Sequence, residues 1–195
     1  MPETSATPVI AVEKLPKAYQ WLAAEPGPKM LLEALREFGT LEVKGDGSNP
    51  KIIAWAKEVG GNVADVYKND EIPWCGLFMA VCAKRAGYEL PKEPLWALNW
   101  GTFGSSQPAA MLGDVLTFIR KTSTGAKAGH VSMYVGEDEA AYHILGGNQS
   151  DCVCITRIDK SRLYAIRRPL FKIGQPANVR QIFLSATGGL SNNEA

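Results

Sequence analysis

Residues 73–87 read Pro73-Trp74-Cys75-Gly76-Leu77-Phe78-Met79-Ala80-Val81-Cys82-Ala83-Lys84-Arg85-Ala86-Gly87. Proline suits the opening turn of a helix and glycine its close, so the stretch predicts a helix with Cys75 in its first turn, stopped by Gly87. Upstream the pattern is also helical. Met30, Leu31, Leu35 and Phe38 make one stripe ended by Gly39, and Asn49-Pro50 opens another helix through Ile52, Ile53 and Trp55 to Gly60-Gly61. Downstream the texture changes. Strand signals cover Asp114–Ile119, His130–Val135, Ala141–Leu145, Val153–Ile158 and Leu163–Arg167, the last ending before Pro169. Helices first and strands later predict an α+β domain, with N-terminal helices packed on an antiparallel sheet of about five strands. The expected organisation is an arm over 1–17, the domain over 18–169 and an extension over 170–195, which could serve as a docking tail.

Composition excludes several functions. Twenty-one Lys+Arg against 20 Asp+Glu leave a net charge of +1, which argues against a nucleic-acid binder. No apolar run approaches the ~18–20 residues needed to cross a bilayer, so no membrane insertion is expected. The opening Met1-Pro2-Glu3-Thr4-Ser5 has neither the basic nor the apolar part of a secretory signal. Four cysteines, Cys75, Cys82, Cys152 and Cys154, are then expected as reduced thiols. Cys152-Val153-Cys154 is too short a spacing for a zinc knuckle, and the loop from Glu42 to Asp46 lacks the ligand pattern of a calcium loop. No metal and no cofactor are expected.

Cys75 and His130 carry the chemistry. A thiol in the first turn of a helix meets unpaired amides and the positive end of the helix dipole, which favour a thiolate. The other reading of Cys75 is a small buried hydrophobe, which is the reading for Cys82 two turns further on. Strand alternation turns Val131, Met133 and Val135 inward and His130, Ser132 and Tyr134 to the opposite face. A Cys at a helix start facing a His on a neighbouring strand is what a thiolate–imidazolium nucleophile needs. Trp74, Trp96, Trp100 and Phe103 could wall a groove, although such aromatics more often fill a core. Asp70 and Glu71 read as a charge pair at the helix start.

In order along the chain, Pro73-Trp74-Cys75-Gly76-Leu77-Phe78, Leu112-Gly113-Asp114-Val115, Gly129-His130-Val131 through Gly136, and Leu145-Gly146-Gly147-Asn148-Gln149 resemble the papain-like peptidoglycan hydrolases of the NlpC and CHAP type. The similarity is greatest to the bacteriophage and prophage branch, in which Glu42…Asn49-Pro50 and Ser161-Arg162-Leu163…Arg168-Pro169 also recur. The resemblance spans about 18–169. It implies a papain-like fold, Cys75 as nucleophile and His130 as general base and acid. The residue that orients the imidazole is Asn148 or His143. Asn148 is preferred, because its amide oxygen can accept from the ring, whereas His143 reads as a partly exposed strand residue. Trp74, Tyr134 and Gln149 are the implied substrate contacts, and Tyr67 or a group near Asp70 a candidate oxyanion donor.

The expected function is therefore a peptidoglycan amidase or endopeptidase of phage lysis or of a virion. It would be made in the bacterial cytoplasm and act on the wall or travel in the particle. A non-catalytic wall-binding or tail protein on the same fold, or an antibacterial effector of the same chemistry, are the alternatives. Peptidoglycan is the expected partner, with a phage particle, secretion machine or immunity protein meeting the termini.

Overall fold

The computed structural model describes residues 9–121, 127–186 and 188–191. The sequence from Thr122 to Gly129 reads as a loop; residues 122–126 of it lie outside the described residues, as do residues 1–8 of the arm, and Lys127 to Gly129 already belong to a strand.

Local rules set the helices. Helix α1 (Lys29–Arg36) buries Met30, Leu31, Ala34 and Leu35. In α2 (Pro50–Val59) the Asn49 side chain accepts the Lys51 amide at 2.8 Å and Pro50 fills the first position. The connection after Gly60 is not merely polar loop: Gly61–Val66 forms a short α3, with Val63 buried. Helix α4 (Cys75–Ala86) starts and stops as the sequence predicts. Gly87 takes a φ of 83°, and the Gly87 and Tyr88 amides bond back to Lys84 and Ala83. Residues 75–83 of α4 are all buried, which makes it the central helix of the core. The segment before α1 is a pair of 3₁₀ turns, Val12–Lys14 and Lys17–Ala24, and Ile10 and Leu15 are buried, so the described part of the arm is packed down.

Six antiparallel strands form one sheet: β1 (Ser105–Ser106), β2 (Val115–Lys121), β3 (Lys127–Glu137), β4 (Ala141–Gly146), β5 (Cys154–Asp159) and β6 (Leu163–Arg168), in the order β1-β6-β2-β3-β4-β5. The fold is α+β. The strand beyond the expected five is β1, two residues long, which pairs with the distant β6 and has no local signal. Alternation sorts the sheet's side chains. Val115, Val131, Met133, Val135 and Leu145 join the helices in the main core. Leu116, Phe118, Tyr134, Ile144, Ile158 and Ile166 form a smaller cluster on the opposite face.

That second face is covered by the C-terminal segment, which is therefore no free tail over its described length. Glu137 donates its amide to Ile182 and accepts that of Leu184, and Leu112 donates to Arg180. Tyr134 is fully buried here. Its hydroxyl donates to Glu137 and accepts the Ile182 amide at 3.1 Å, so it anchors this segment rather than meeting a substrate.

Two buried ionic groups brace the sheet. The Arg168 guanidinium forks onto both Asp114 oxygens at 2.8 Å. At the other end His143, expected to be partly exposed, is fully buried. Its Nε2–H donates to Asp138 at 2.8 Å, its Nδ1 accepts the Tyr19 hydroxyl at 2.8 Å, and Arg157 also donates to Asp138. Burial lowers the His143 pKa from its ordinary 6.5 despite Asp138, and the Arg157 hydrogen bond lowers that of Asp138 from 3.8. Both folded values lie below the unfolded ones, so the stability these groups contribute is present at high pH and is lost as pH falls. Loss should begin below about 6.5, from His143, and resume below about 4, from Asp138. Melting temperatures measured from pH 8 to 4 should fall first in the upper window, and His143→Gln should flatten that part of the curve. An unchanged slope between pH 7 and 5 in the variant contradicts this assignment.

Candidate active site

Cys75 is the first residue of α4, and the helix lays it against β3. The amides of Val131, Gly76 and Cys75 itself approach the sulfur as hydrogen-bond donors. Burial nevertheless dominates and raises the thiol pKa, with those amides and the Arg120 charge working against it. The resting group is thus a thiol that needs a base, held where a thiolate would be met by donors.

Only 4% of Cys75 is exposed, yet it lines a crevice of about 520 Å³ together with Leu95, Trp96, Leu98, Arg120 and Gly129. Two glycines let the 93–103 segment lie this close. A Cβ on Gly76 would strike the carbonyl oxygens of Pro94 and Leu95, and one on Gly129 would come within 2.7 Å of Leu98. Trp96 is 70% exposed on the crevice wall, the only one of the four aromatics considered that is open to a ligand. Trp74 and Trp100 are fully buried and Phe103 nearly so. Trp74 stacks near Trp55 and donates its indole N–H to Glu42 at 2.8 Å, so it is core and a tether for the 42–49 loop, not a substrate contact.

His130 is fully buried. It lies opposite Phe118 in the β2–β3 register, on the sheet face away from α4, next to Val131, whose amide approaches the Cys75 sulfur. Its Nε2–H donates to Gln149 Oε1 at 3.0 Å. The orienting bond expected from Asn148 is made by its neighbour. The register explains why: Met133 faces Leu145 and Tyr134 faces Ile144, so the chain beyond β4 arrives opposite His130 at 148–149. Asn148 then turns in the left-handed region (φ 57°) with a buried side-chain oxygen that has no hydrogen-bond partner, and Gln149 reaches the ring. His143 pairs with Gly136, six residues from His130 along β3, roughly 20 Å at strand rise. It cannot orient this imidazole.

Of the two acidic residues before Cys75, Asp70 serves the loop before α2. Asp70, fully buried, accepts the amides of Asn49 at 2.7 Å and Val43 at 3.1 Å. It is not a charge pair for the helix start. Tyr67 is buried with its hydroxyl lacking a hydrogen-bond partner, and burial together with the charges of Asp70, Glu42 and Cys75 raises its pKa. Arg120 was not legible as a site residue. It sits at the end of β2, and only the hairpin register, which pairs it with Ala128, carries it to the crevice.

Among the described residues no group of three or more His, Cys, Asp or Glu is placed to hold a metal ion, and no helix is long and apolar enough to cross a membrane. Comparison with protein-family models, with curated proteins and with solved structures gives no match.

Proposed function

We propose that this chain is a cysteine hydrolase that cleaves amide bonds in the peptide part of peptidoglycan, on a papain-like fold of the NlpC and CHAP kind. The observation that carries the reading is the seat of the Cys75 sulfur. It lies at a helix start, among three backbone amides, on the wall of an open crevice and against the residue that follows His130. The register sets the resting His130 ring on the Phe118 face of β3, across the strand from Cys75; it takes the thiol proton after swinging off Gln149 to the crevice side, and the sulfur then attacks the substrate carbonyl carbon. The Cys75 amide and the unpartnered Tyr67 hydroxyl are the donors for the developing oxyanion. His130 then protonates the leaving amine, and water hydrolyses the thioester. Gln149 holds the resting ring on that face and is a positioning residue. Trp96 offers a flat apolar wall, and Arg120 adds positive potential that favours the thiolate.

Peptidoglycan as substrate, and the phage or prophage setting, follow from the resemblance of the motifs. Mass spectrometry of sacculi digested with the protein tests both chemistry and substrate. Soluble muropeptides with one new amine per cut are expected, and intact sacculi without new amines overturn the proposal. The complete burial of His130, on the sheet face away from Cys75, favours a second reading, a non-catalytic wall-binding or virion protein on the same fold. That reading expects the protein to pellet with sacculi and release nothing.

A further inference from the structure

Gln149, the partner of His130, is itself held by two cysteines that the proposed hydrolysis does not use. Its backbone amide donates to the Cys152 carbonyl at 3.1 Å, and its side-chain Nε2 donates to the Cys154 carbonyl at 2.7 Å. The Cys154 thiol donates to the Gln149 carbonyl at 3.3 Å, and the Cys152 thiol donates to the Val153 carbonyl at 3.4 Å. Both cysteines are partly exposed, in contrast to the buried Cys75 and Cys82. We propose that Cys152 and Cys154 form an oxidisable dithiol whose disulfide pulls Gln149 off His130, with a small-molecule disulfide of the glutathione type as the oxidant.

The chain bends at Val153, between the isolated bridge at Cys152 and the start of β5 at Cys154, so the two cysteines stand two residues apart across a bend. Closing a disulfide there imposes its own Cα separation and torsion on the 152–154 segment and removes the Cys154 S–H that donates to the Gln149 carbonyl. Both carbonyls that hold Gln149 belong to that segment and move with it. The turn has little resistance of its own. Asn148, Ser150 and Asp151 stand at φ values of 57°, 51° and 60°, a region costly for residues other than glycine, and the bonds from Gln149 to the two cysteines help hold them there. Oxidation thus acts on the imidazole through one intermediary side chain.

The chemistry closes. Cys152, partly exposed and with its pKa lowered beside Cys154, is the attacking thiolate. Its sulfur bonds to one sulfur of oxidised glutathione, the S–S bond breaks, and a glutathione thiolate leaves. Cys154 then gives its proton to solvent and attacks the Cys152 sulfur of the mixed disulfide, expelling the second glutathione thiolate. The protein loses two electrons and two protons, and one glutathione disulfide becomes two glutathiones.

The test uses the full chain, reduced or treated with oxidised glutathione, and two readouts. Intact and peptide mass should show the loss of two hydrogens within 152–154. The chain has two histidines, so proton NMR can follow both rings. The His130 Cε1–H resonance should move on oxidation, because the ring loses its Gln149 partner. The His143 resonance should stay in place, and dithiothreitol should reverse the change. Cys152→Ser should abolish both effects. If that variant does not fold, the wild-type comparison alone decides. A persistent glutathione adduct without an internal bridge, or a bridge that leaves His130 unmoved, overturns the proposal. Neither readout depends on hydrolysis, so failure here is distinct from failure of the proposed activity.

Discussion

Cys75→Ala is expected to lose amide cleavage on sacculi by on the order of 10⁴-fold or more while remaining folded. The sulfur is the only group proposed to bond to the substrate, and alanine offers no substitute. The stability cost should be small, on the order of 1 kcal/mol, because a single atom leaves a site already open to the crevice. Cys75→Ser should not rescue the rate. A hydroxyl holds its proton more tightly than a thiol, and burial at this site raises the demand on the base further. His130→Ala should cost a comparable factor. The double variant should be no worse than either single one, since nucleophile and base act as a unit. Measured by amine release with circular dichroism as the folding control, undiminished cleavage by Cys75→Ala would remove the hydrolase reading and leave the wall-binding one.

What could be read in the sequence follows the reach of each signal. The start and stop of α4 depend on Pro73 and Gly87, each beside the helix end it sets, and both act through local backbone geometry. The same holds for Asn49-Pro50 at α2 and for the alternation that separates Val131, Met133 and Val135 from Tyr134. Contacts made across the fold were not legible. Alternation gives Tyr134 its face, but nothing near it tells that residues 180–184 will cover that face. Asp70 is five residues from Cys75 in the chain and turns away to the 43–49 loop. Asn148 and Gln149 are equally plausible partners for His130 as amide side chains. The choice between them rests on a left-handed residue in a four-residue turn, which only the surrounding hydrogen bonds impose.

Breaking the Asp114–Arg168 pair is expected to have the largest effect on stability. Asp114 is fully buried and Arg168 is 9% exposed, and the fork between them joins the start of β2 to the end of β6. Asp114 also accepts the Met111 amide, which fixes the turn leading into β2. Burial, the largest influence, raises the Asp114 pKa although Arg168 opposes it. A raised folded pKa means that the carboxylate's contribution is present at low pH and lost as pH rises. Ionising it therefore costs the fold stability, and the pair should not be credited as a net gain at neutral pH. Removing one member is still severe, because it strands the other charge in the interior. Asp114→Ala and Arg168→Met should each cost about 3–5 kcal/mol. At about 2–4 °C per kcal/mol for a chain of this size, the melting temperature should fall by roughly 6–20 °C. The double variant should cost clearly less than the sum of the two, with the Met111 amide as the remaining orphan. Urea unfolding followed by the fluorescence of the buried Trp55, Trp74 and Trp100 measures all four corners of the cycle. Single variants that lose under about 1 kcal/mol, or strict additivity between them, would show that the two strands are held by the sheet's hydrogen bonds alone.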